Sequence, residues 1–166
     1  RDKDRTAIFL SEARDMGVKV STPDINRSES DFTVNDNEIL FGLSAVRNVG
    51  DITSEKIVLE RSENGTFNSI EDFLSRIDSR SLNKRGIEAL AQGGGFDFFG
   101  HSRKGVFDAI PVLIDDAKDL KSKKANNQAS LFDLEDQSDK LTIIKDTEWK
   151  KKEKLERERE MLGFFV

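Results

Sequence analysis

The sequence predicts a mainly α-helical fold with one small β-hairpin, in which two helix, glycine turn, helix units follow one another. Three observations carry that expectation. Apolar residues recur at helical spacing along most of the 166 residues. One stretch is β-rich on both sides of a turn-forming Asn35-Asp36-Asn37, and two glycine-containing breaks, Asn48-Val49-Gly50 and Gly93-Gly94-Gly95, each separate a pair of helical patterns.

Taken in order, Arg5 to Met16 places Ala7, Ile8, Leu10, Ala13 and Met16 at helical spacing, and Gly17 supplies a C-terminal cap. Val18 to Val20 reads as a short strand and Pro23-Asp24-Ile25-Asn26 as a turn. Asp31 to Val34 and Glu38 to Phe41 then form the β-hairpin. Leu43, Ala45 and Val46 make an apolar cluster that stops at Arg47, and a second period, Ile52, Ile57, Val58 and Arg61, starts directly after Gly50. Asn64-Gly65-Thr66 breaks the chain. Ser69 caps a short helix at Ile70 to Leu74 with Glu71 and Asp72 in its first turn.

Ser81 or Asn83 caps Arg85 to Ala91, and three glycines in a row place the helix end at Gly93. The next pattern, Val106, Phe107, Ile110, Leu113, Ile114 and Leu120, contains Pro111, which is expected to kink or restart it. Phe67, Phe73, Phe96, Phe98, Phe99 and Phe107 read as core. Lys121 to Asn127 is polar and reads as a linker. One apolar island follows, Gln128-Ala129-Ser130-Leu131-Phe132, either a strand packed on the core or an anchor for a partner's groove; composition favours the packed strand. Trp149 to Leu162 is a charged helix with Trp149, Leu155 and Leu162 on one side. The expected divisions are 1–42, 43–120, 121–147 and 148–166.

Composition narrows the function. A mean hydropathy of −0.58 and 36% charged residues leave no run able to cross a bilayer, so no membrane role is expected. With no Cys there is neither disulfide nor thiolate metal site, which points to the cytoplasm. A lone His101, read as a turn residue, gives little material for a His-based metal or nucleophile site. The net charge of −5 argues against bulk electrostatic attraction to nucleic acid, although Phe41 to Gly105 balances nine basic against nine acidic residues. Both ends read as cut, Arg1 standing where Met would and Gly163-Phe164-Phe165-Val166 leading toward another element.

The Asn48-Val49-Gly50 turn is the strongest chemical signal. Reversing direction in so few residues needs φ > 0, which Gly50 adopts freely and Asn48 tolerates. The helix that follows leaves its first N–H groups without intrahelical partners, a seat for an anion such as a DNA phosphate. The offsets of Asn48, Val49, Gly50, Ser54 and Ile57 fit the helix-hairpin-helix pattern. Asn48 departs from the usual Gly, and Asp51 puts a carboxylate where a phosphate would dock unless it caps the helix.

Along its whole length the chain resembles the alpha subunits of bacterial DNA polymerase III, the C family of polymerases. The resemblance rests on an ordered series: Met16-Gly17-Val18, Pro23 to Ser28, Phe32, Gly42 to Gly50, Asp72-Phe73, Asn83-Lys84-Arg85, Glu88 to Leu90, Gly94 to Asp97, Gly100, Arg103, Gln128 to Phe132 and Glu158 to Gly163. It implies the end of the fingers region followed by a tandem helix-hairpin-helix domain that holds new duplex and binds the sliding clamp. By the same resemblance Gln128, Ala129, Ser130, Leu131 and Phe132 are the clamp-binding peptide. Arg47, Asn48, Val49, Gly50 and Lys56 would meet duplex phosphates at the first unit, and Lys84, Arg85, Arg103 and Lys104 at the second, where Gly93 and Gly95 depart from the expected small non-glycine residues. The resemblance further implies a DNA-directed DNA polymerase as parent, other replicase subunits as partners, and magnesium held in a palm that precedes Arg1, with neither catalytic residue nor cofactor in this segment. The competing expectation is a stand-alone helix-hairpin-helix module of a repair or ligase protein.

Overall fold

The computed structural model describes residues 3–125 and 143–164. Among them are six α-helices and one three-stranded sheet: α1 Lys3–Asp15, β1 Lys19–Ser21, β2 Thr33–Asn35, β3 Glu38–Leu40, α2 Gly50–Asn64, α3 Ile70–Arg76, α4 Lys84–Gly93, α5 Arg103–Ala125 and α6 Lys151–Leu162. The mainly helical expectation holds. The hairpin of β2 and β3 is also present, turning at Asp36 with φ 43°. β1 adds a third strand, parallel to β3 with Val20 opposite Ile39, so the strand order is β1-β3-β2. That pairing joins segments far apart in sequence, which strand periodicity does not encode.

Two helix starts are built as the sequence implies. The Ser69 side chain accepts the Asp72 N–H at 3.0 Å to open α3, and the Asn83 side chain accepts the Gly86 N–H at 3.0 Å to open α4. Other expectations change. The element before the first glycine turn is only a 3-10 turn, Leu43–Ala45, flanked by extended Gly42 and Val46, and Gly42 passes so close to the Ser30–Phe32 backbone that a Cβ there would collide with it. Ile52 is 71% exposed, since Thr53, Ser54 and Ile57 turn inward instead. Ser54 is satisfied by the Asp51 carbonyl and the Ser30 hydroxyl, both at 2.8 Å, and the Thr53 hydroxyl donates to the Ser81 carbonyl. Their polar groups thus bury without an unmet hydrogen bond.

α5 runs unbroken through Pro111 and on to Ala125, so it neither restarts at the proline nor yields to a linker at Lys121. Pro111 itself is exposed, whereas Val106, Ile110, Leu113 and Ala117 are buried where α5 packs on α3 and α4. Burying that stripe outweighs the roughly 3 kcal/mol that an interior proline costs a helix. Phe67, Phe73 and Phe96 stack edge to face through the centre, with centroids 4.9 and 5.6 Å apart, but Phe98 is 47% exposed and does not belong to the core. The apolar cluster continues from Leu10 to Phe164. No helix among the described residues is long and apolar enough to cross a membrane.

Candidate nucleic-acid interface

At the first turn the backbone does what the Asn-Val-Gly sequence demands: Asn48 has φ 67° and Gly50 φ 76°, both left-handed. Asn48 and Gly50 are exposed, and a Cβ on Gly50 would meet nothing within 4 Å. α2 begins there with Val49 as its cap residue and no side-chain hydrogen bond onto its first N–H groups, unlike α3 and α4. Asp51 lies inside the first turn, so its carboxylate does not serve as the cap. Val49 drops out as a surface contact. It is buried, and its N–H donates to the Val46 carbonyl at 3.2 Å.

Arg47 is half exposed beside this turn. Its backbone N–H donates to the Met161 carbonyl at 2.9 Å, and its guanidinium lies 3.5 Å from Glu160, so the end of α6 buttresses the hairpin. Lys56, one and a half turns along α2, donates to the Ser81 hydroxyl at 2.8 Å. The Asn48 carbonyl lies 3.1 Å from where a Cβ on Gly86 would stand. Those contacts bring the start of α4 against the first turn, and with it the exposed Lys84 and Arg85. Basic residues expected at the second unit therefore stand beside the first.

The second unit is different. α4 ends on Gly94 in the left-handed region, a 3-10 turn spans Asp97–Phe99, and α5 opens at Arg103. Arg103, expected as a DNA contact, is buried. Its guanidinium bonds Asp97 at 2.9 Å and Glu158 at 2.9 Å and reaches the Gln92 carbonyl at 3.3 Å, so it spans the turn, α4 and α6. Burial works against its charge but is outweighed by the two carboxylates, and its pKa moves up. A buried guanidinium engaged by two carboxylates and a carbonyl is not presented to a phosphate. Lys104 is half-buried at its side chain and pairs with Asp108 at 2.7 Å.

Glu148, which no local pattern in the sequence marks, sits at the mouth of this second unit. Its carboxylate accepts the backbone N–H groups of Arg103 at 3.0 Å, Lys104 at 3.1 Å and Trp149 at 3.0 Å. Burial would raise its pKa, but those N–H bonds and Lys154 prevail and hold it below the ordinary carboxylate value. Gln128 to Phe132 lie outside the described residues. Among the described residues no group of three or more His, Asp or Glu side chains could hold a metal ion.

Comparison with known proteins accords with this geometry. A family model described as a helix-hairpin-helix motif matches residues 17–106. The chain is 40% identical to the DNA polymerase III subunit alpha of Saccharopolyspora erythraea, 40% to that of Mycobacterium leprae and 36% to that of Caulobacter vibrioides, matching over 98–99% of its own length. It spans about 14% of the length of each of these relatives.

Proposed function

Since the chain belongs to the helix-hairpin-helix family, we propose that it is the part of a DNA polymerase III alpha subunit that holds duplex DNA by its backbone, through the first hairpin. The observation that supports this most is the open start of α2. Exposed Asn48 and Gly50 turn the chain in the left-handed region, no side chain caps the helix, and Arg47, Lys56, Lys84 and Arg85 surround it. Such a site takes a phosphate without reading a base, because helix N–H groups and flexible cations recognise charge and not base edges. That suits a polymerase, which must hold any sequence it has just made.

In the parent, chemistry belongs to other parts of the polypeptide: a DNA-directed DNA polymerase would hold its magnesium in the palm, and this segment would add grip. Gln128 to Phe132 would supply a second attachment, Leu131 and Phe132 entering an apolar groove on the sliding clamp. Two attachments on one chain reinforce each other through effective concentration. Other replicase subunits would join the same cytoplasmic assembly. Relatives named as polymerase subunits along nearly the whole chain favour this over a stand-alone repair or ligase module.

The test is duplex binding by fluorescence anisotropy at two salt concentrations. Lys84→Glu with Arg85→Glu is expected to weaken binding by about tenfold, equally for unrelated sequences, and to flatten the salt dependence. Unchanged affinity in the folded variant would remove the hairpin from the duplex interface.

A further inference from the structure

Resting on the duplex-binding reading above, we infer that Glu148 is the residue that keeps DNA phosphates off the second hairpin, so that the chain grips duplex through one hairpin and uses the other as a joint. In a paired arrangement both helix starts would face phosphates. Here the first N–H groups of α5, on Arg103 and Lys104, are already taken by a carboxylate of this same chain.

The carboxylate is held in place by more than those bonds. The Ser102 hydroxyl reaches the carbonyls of Lys145 at 3.3 Å and Thr147 at 2.8 Å, which draws residues 145–147 across the front of α5. Gly105 permits that approach, since a Cβ there would collide with the Lys145 carbonyl. Behind it Trp149 is buried, its ring edge on Phe107 at 5.5 Å and the Arg157 guanidinium 4.1 Å above it. A phosphate arriving at α5 would have to displace Glu148 and lift this anchored segment. Among the described residues no equivalent strap crosses the start of α2.

The side chains agree with the backbone. Arg103 points inward to Asp97 and Glu158, and Lys104 is paired with Asp108, so the two expected cations that the fold leaves at the second hairpin are engaged within the chain. Glu148 therefore determines which hairpin meets DNA.

The test follows the backbone amide resonances of the whole chain by NMR during titration with inorganic phosphate, with duplex affinity measured in parallel. In the parent, phosphate is expected to shift Gly50 and Asp51 and leave Arg103 and Lys104 still. Glu148→Gln removes the charge at constant shape; Arg103 and Lys104 should then respond saturably, and duplex affinity should rise by about three- to tenfold. Response of these two amides in the parent, or silence in Glu148→Gln, would overturn the inference. Should Glu148→Gln lose the native Trp149 fluorescence, Glu148→Asp carries the test: its shorter arm frees at least one of the two amides, which should respond, and silence at both overturns it. If neither protein binds duplex yet the Glu148→Gln amides respond to phosphate, the duplex reading fails while the assignment of Glu148 stands.

Discussion

Arg103 and Glu158 form an ion pair of 2.9 Å between side chains that are 7% and 5% exposed, joining the start of α5 to the middle of α6. Asp97 holds the other side of the guanidinium, and Arg157 of α6 bonds the Gln92 side chain at 2.9 Å. These contacts tie α6 to the second hairpin, and the end of α6 in turn supports Arg47 at the first. Stability and the proposed DNA contact are thus connected through one helix.

Removing one partner from a buried pair leaves the other charged and unsolvated, which typically costs about 3–5 kcal/mol. Arg103→Ala should lose stability of that order in urea unfolding while the folded protein keeps its duplex affinity. A loss of affinity with unchanged stability would return Arg103 to the DNA surface.

Gly50→Val forces a β-branched residue into φ 76°, a strain of about 1–3 kcal/mol, although there is open space around the position. Duplex affinity is expected to fall for every sequence tested. Equal affinity in a folded variant would exclude contact at this turn.

Glu71 is buried between α3 and α5. Burial pushes its pKa above the ordinary 4.5 with help from Asp116, outweighing the opposing hydrogen bond from its own backbone N–H and a smaller pull from His101. The folded state therefore holds its proton more tightly than the unfolded state. This carboxylate costs stability at neutral pH, and the cost disappears as pH falls through the raised value toward 4.5. Asp72, Glu38 and Glu148 have lowered values, so their contribution is present at neutral pH and lost only at more acidic pH. Stability should rise on mild acidification from pH 7 and fall again below the ordinary carboxylate range. Glu71→Gln should raise stability at pH 7 and flatten the first part of that profile, as followed by thermal melts across pH.

On the proposed clamp assignment, Leu131→Ala with Phe132→Ala should abolish binding to the sliding clamp and leave duplex affinity intact. Titration of labelled clamp with each protein checks this. Equal clamp affinity for variant and parent would eliminate the peptide.

Local chemistry made much of the architecture legible. Gly50 and Asn48 announce a left-handed turn, Ser69 announces one helix cap and Ser81 or Asn83 another, and the Asn35 to Asn37 turn announces a hairpin, because each depends on residues a few positions apart. The helical class and the first hairpin's candidate residues follow from such patterns. Which basic residues share a surface is decided elsewhere. Lys84 and Arg85 join the first turn through the close approach of Asn48 to Gly86, while Arg103 turns inward because Asp97 and Glu158 meet it there. Ile52 faces solvent because hydroxyl partners allow Thr53 and Ser54 to bury. Glu148 closes α5 from 45 positions away. The sequence by itself determined the left-handed first turn and the capped starts of α3 and α4, since capping and glycine conformation are local energies. Only the tertiary structure decided which charges are spent inside and which remain for a partner, because a charge seeks whatever countercharge or N–H group the fold brings within reach.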